Sequence, residues 1–135
     1  MIISGWSSDR TRDRKWHCVA GQVGAGTFLA LSALPGQPWE AVFAWLCLAG
    51  FFANFWYTPF WVLPTLSLIL SAAAVAIGFI NMCANLAGWV GQPIVGMMRD
   101  AQLGDGACLQ FLAAAFAVGA GFVSMVRVPR RGVTA

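Results

Sequence analysis

Ser71–Asp100 reads SAAAVAIGFINMCANLAGWVGQPIVGMMRD, and it carries no charge before Arg99. At 1.5 Å per residue, the uncharged part of a helix over this stretch crosses a hydrocarbon layer of ~30 Å, tilted if needed. Asn81 and Asn85 stand four apart, so a helix puts both amides on one face, one turn from each other. Amides in lipid need hydrogen-bond partners, so that face points at protein, water or a ligand. A polar face inside an apolar span is the main functional signal of the chain, and it sets the fold class: an all-α integral membrane protein.

The rest of the 135 residues agrees. The chain is 59% hydrophobic and 10% charged, whereas soluble domains carry about 25% charged residues. No acidic or basic residue falls between His17 and Glu40, between Glu40 and Arg99, or between Asp105 and Arg127. With ~20 apolar residues needed per crossing, these gaps hold one, two and one spans. Four transmembrane helices are therefore expected, at about 16–34, 40–64, 71–98 and 107–127, within a membrane region 16–127. Residues 1–15 read as the end of a preceding helix and a cytoplasmic basic loop, and 128–135 as a cytoplasmic tail.

Charge placement gives the orientation. Arg10, Arg12, Arg14 and Lys15 precede the first span, and Arg127, Arg130 and Arg131 follow the last. The excess of basic residues on cytoplasmic loops places both ends in the cytoplasm, as an even number of spans requires. Basic clusters flanking membrane helices are no argument for nucleic acid. The turn Pro35-Gly36-Gln37-Pro38 has no Lys or Arg and suits the outer side. Trp16 and Trp39 bracket the first span, as interfacial aromatics do, and Gly21, Gly24 and Gly26 thin it for a close neighbour. Ala84 with Gly88, and Ala115 with Gly119, are small pairs in the third and fourth spans.

The second span is crowded with rings, and Pro59 and Pro64 interrupt its hydrogen-bond ladder near the inner half. Interrupted helices at membrane depth survive where protein or a cavity covers them. Thr58 and Trp61 share a face beside these prolines. The short uncharged link Leu66–Ser71 leaves the boundary between spans two and three open.

Soluble enzymology finds no support: there is no phosphate loop, no Ser/His/Asp set and no pair of carboxylates within a span. No catalytic residue, metal site or cofactor is expected. Cys18, Cys47, Cys83 and Cys108 form no CxxC pair and read as small apolar fillers. A four-helix multidrug exporter is disfavoured, because it needs a carboxylate buried in a span and Glu40 sits at a span edge.

Three stretches resemble a known family. Gly5-Trp6-Ser7-Ser8-Asp9-Arg10, followed by Arg14-Lys15, is similar to the G-x-x-S-D-R-x-x-x-R loop between helices eight and nine of major facilitator superfamily transporters. Thr58-Pro59-Phe60-Trp61-Val62-Leu63-Pro64-Thr65 resembles the P-F-W-x-L-P-T signature of helix ten. Ile80-Asn81 through Asn85-Leu86, Gly88, Gly91 and Pro93 to Gly96 resemble the helix-eleven pattern. Within the superfamily the likeness is to the anion:cation symporters, the phthalate, tartrate and galactonate permeases. Leu66-Ser67-Leu68-Ile69-Leu70 departs from the polar connection usual there.

The resemblance implies the C-terminal part of a six-helix half, helices nine to twelve of twelve, with the N-terminal half as the missing partner. It implies proton-coupled uptake of organic anions by alternating access at a bacterial inner membrane. A small organic anion, protons and the lipid bilayer are then the partners. Thr58, Trp61 and Asn81 would meet the substrate, with Asn85 and Tyr57 beside them. Gly5, Asp9, Arg10 and Arg14 would form a cytoplasmic gate. The alternative is a truncated, membrane-embedded piece without transport of its own.

Overall fold

The computed structural model describes residues 14–126, which form five helices: α1 (Arg14–Ser32), α2 (Trp39–Phe55), α3 (Tyr57–Ser67), α4 (Leu70–Asp100) and α5 (Gly104–Met125). α1 is the hub. It packs along both α2 and α5 and touches α3, whereas α4 packs sparingly, against α3 and α5. The expectation of an all-helical membrane protein holds.

Glycines set the close approaches of α1. A Cβ at Gly21 would lie 2.6 Å from Cβ of Trp56, and one at Gly24 would enter the Phe52 ring. At Gly26 it would lie 3.2 Å from the Ala113 carbonyl of α5. The three glycines thus serve two neighbours rather than one thinned side. Most residues of the buried core are equally small: Cys18, Ala25, Ala49, Cys108, Ala113 and Ala120. This is how helices pack where lipid is as apolar as leucine and only close contact rewards association.

Among the described residues, three stretches are long and apolar enough to cross a membrane: Trp39–Val62, Ala72–Asp100 and Gly104–Met125. The first of the four expected spans, 16–34, is not among them. Its helix carries His17, Gln22, Thr27 and Ser32 besides three glycines, which lowers its hydropathy. Cys18, Gly21, Gln22, Ala25, Gly26 and Ser32 are buried, so much of α1 faces protein rather than lipid. A helix shielded in that way needs less apolar surface of its own.

The expected second span, 40–64, is two helices. The interruption falls at Trp56, ahead of both prolines, and Trp56 itself keeps helical angles. Pro59 is the cause: without an N–H it cannot bond the Phe55 carbonyl four residues back. In α3 it occupies the first turn, where a missing donor costs nothing. Pro64 lies inside α3, and Leu68 and Ile69 are extended and separate α3 from α4.

The turns are well made. Gln37 donates through Nε2 to the Leu31 carbonyl at 2.6 Å and accepts from Trp45 Nε1 at 2.9 Å, tying the end of α1 to α2. α4 ends in a Schellman motif: the Leu103 N–H bonds the Met98 carbonyl, the Gln102 N–H bonds the Arg99 carbonyl, and Gln102 has φ 54°. Arg99 then reaches across the turn to Asp105 at 3.2 Å. Both partners are exposed, so the pair is worth ~0–1 kcal/mol.

Candidate functional site

α3 and α4 pack against each other and carry the expected substrate residues. On α3, rings from successive turns meet edge to face. Tyr57 and Trp61 have centroids 5.9 Å apart, and Trp56 and Phe60 5.2 Å. Tyr57 is exposed and Trp61 half-buried. The backbone of Thr58 belongs to the first turn of α3; its side chain lies outside what is described.

On α4, Asn81 and Asn85 are both exposed. Asn85 donates through Nδ2 to the backbone carbonyl of Asn81 at 2.8 Å. The two asparagines are therefore linked along one helix, and among the described residues neither bonds a second helix. The face around them is bare: a Cβ at Gly78, Gly88, Gly91 or Gly96 would meet nothing within 4 Å. The structure pairs Tyr57 with Trp61 and Asn81 with Asn85, and no hydrogen bond between described residues joins the two pairs.

Gly5, Asp9 and Arg10, the expected gate residues, lie outside the described residues. Arg14 is the first residue of α1, with its side chain outside the description. Beside it, the ammonium of Lys15 stands 5.7 Å from the ring centre of Trp16, the arrangement of a basic residue at a membrane interface.

Among the described residues, two buried polar atoms lack any partner: Oε1 of Gln22 and Nε1 of Trp56. Sequence reasoning singled out neither. Gln22 had a signal, being a lone amide between glycines inside an apolar stretch. Trp56 stood in a run of rings, where nothing marks one indole from the next. Gln22 also lines a groove of about 410 Å³ between α1 and α5, with Gly26, Thr27, Gln110, Ala113 and Ala117 among its walls.

Known proteins point one way. Two proteins of Agrobacterium vitis named "Putative tartrate transporter" are 32% identical over 120 residues and 33% over 100 residues, covering 89% and 74% of this chain. "Putative metabolite transport protein NicT" of Pseudomonas putida is 30% identical over 102 residues, covering 74%. The chain is a relative of transporters. The resemblance to transporter sequence therefore holds. The matched stretches are 28%, 22% and 23% of those proteins, so the chain spans about a quarter of the length of the curated relatives it matches. No family model and no solved structure matches the chain.

Proposed function

We propose that the chain is part of a secondary transporter of the major facilitator superfamily that takes up small organic anions with protons by alternating access. It is not an enzyme in this reading. The observation that carries it is the match of two proteins named as tartrate transporters across most of the chain. Such a protein sits in the bacterial inner membrane with both ends of this chain in the cytoplasm, and α1 completes a set of four crossings. The remainder of the transporter supplies the opposite wall of the path.

Thr58, Trp61 and Asn81 are the residues of choice for the anion, with Tyr57 and Asn85 next to them. A carboxylate held away from water needs donors, and a hydroxyl, an indole N–H and amides supply them. The open amide face of α4 supports this, because among the described residues neither asparagine bonds a second helix. Uptake of labelled tartrate into proteoliposomes by the intact transporter, driven by an inward proton gradient, tests the function. Accumulation that collapses with a protonophore is expected; absence of uptake for tartrate and for related hydroxy acids overturns it.

A second reading, a membrane-embedded piece inactive by itself, is favoured by the bare face of α4. It predicts that proteoliposomes holding only the 135-residue chain accumulate no tartrate.

A further inference from the structure

We propose that the groove between α1 and α5 seats a further transmembrane helix, one that places a hydrogen-bond donor against Gln22. Gln22 is 6% exposed and its Oε1 has no partner. It lies eight residues into α1, about 12 Å along the axis. The amide lies against Gly119 of α5: a Cβ there would stand at ordinary contact distance, 3.6 Å from both Oε1 and Nε2. The amide thus lies flat over Gly119 and can turn about its terminal torsion, which is broad in glutamine. An acceptor left unmet beside the groove costs free energy until a donor arrives.

The walls decide what kind of occupant fits. Gly26 and Ala113 are taken up by the contact between α1 and α5, and the exposed Ala114 and Ala117 keep the α5 wall low, so a third backbone can come close. Lipid tails fill such a groove but bring no donor. A helix with one Asn, Ser or Thr among apolar residues brings both. The relatives are about four times as long as the stretch matched here, which leaves ample chain to provide it. The inference rests on the membrane placement proposed above and not on transport, and its test involves no uptake, so the two readings fail separately.

The unmodified 135-residue chain is reconstituted in phosphatidylcholine vesicles. The probe is a lysine-flanked Leu/Ala transmembrane peptide with one central Asn and a photoactivatable residue one turn away. A control peptide has Leu in place of that Asn. Cross-links to Thr27, Ala114 and Ala117 are read by mass spectrometry. The Asn peptide is expected to label the groove about fivefold more than the control. Gln22→Leu and the near-isosteric Gln22→Met are expected to remove the difference while helix content by circular dichroism stays unchanged. Equal labelling by the two peptides overturns the proposal. So does groove labelling that vanishes as chain density in the vesicles rises, since the occupant is then a second copy. If Gln22→Leu loses its fold, Gln22→Met and the peptide comparison on the natural chain carry the decision.

Discussion

Gly21 has little room to change. A side chain there would lie 2.6 Å from Trp56 Cβ and 2.8 Å from its backbone nitrogen, and backbone does not step aside as a flexible side-chain tip does. Gly21→Val is expected to cost about 1–3 kcal/mol, the usual range for overpacking. Loss of folded chain from detergent extracts, followed by fluorescence-detected size exclusion, measures it. Gly88 is the opposite case, since a Cβ there meets nothing. In the 135-residue chain Gly88→Ala is expected to be neutral or to stabilise by roughly 0.5–1 kcal/mol, the helix cost of glycine. In the intact transporter the same change is expected to destabilise, because the opposite wall of the proposed path then closes on that face. A thermal shift of the same sign in both contradicts this. Gly21 was legible as a site of close approach, since glycines in an apolar span have that use. Its partner was not, because which ring of a ring-rich helix lies opposite depends on the crossing of α1 and α2.

At the level of helices, the all-helical character of the chain was legible in the sequence, and so were the turn at Pro35–Pro38 and the break near Pro59. The position of the break was not. It falls at Trp56, because a proline disturbs the carbonyl four residues behind it and settles comfortably in a first turn. Pro59→Ala supplies the missing N–H and is expected to join α2 and α3 into one straight helix. Spin-label distances across the joint, for instance between positions 48 and 62, are expected to lengthen and narrow in distribution; an unchanged distribution puts the cause elsewhere. The first helix shows the other limit of reading by hydropathy. Gln22, Thr27 and Ser32 pull α1 below the apolarity of its neighbours, and only the packed structure shows that neighbouring helices cover much of it.

For the whole molecule, the amide pair Asn81 and Asn85 was visible at once as a polar face, and the structure leaves it exposed on the longest helix. Whether Thr58 and Trp61 face the same space depends on the wall opposite, which no local pattern encodes. Orientation is open to a simple check. A phosphatase fused after Ala135 is expected to be inactive and a fluorescent protein at that position bright, as both-ends-cytoplasmic topology demands; an active phosphatase reverses the topology. The basic loop belongs to this scale too. If Asp9, Arg10 and Arg14 pair with the cytoplasmic side of the other half, they set the balance of inward-open and outward-open states rather than substrate affinity. Asp9→Asn in the intact transporter is expected to slow turnover with equilibrium tartrate binding unchanged, and unchanged turnover leaves the loop as a topology signal. The central claim is that the amide face of α4 borders the substrate path. It is tested most directly by placing Asn81→Cys in the intact transporter, with Cys18, Cys47, Cys83 and Cys108 replaced by alanine. A membrane-impermeant thiol reagent is expected to label that cysteine, and tartrate to slow the labelling severalfold. A cysteine that stays unlabelled, or is labelled at the same rate with and without tartrate, contradicts the account.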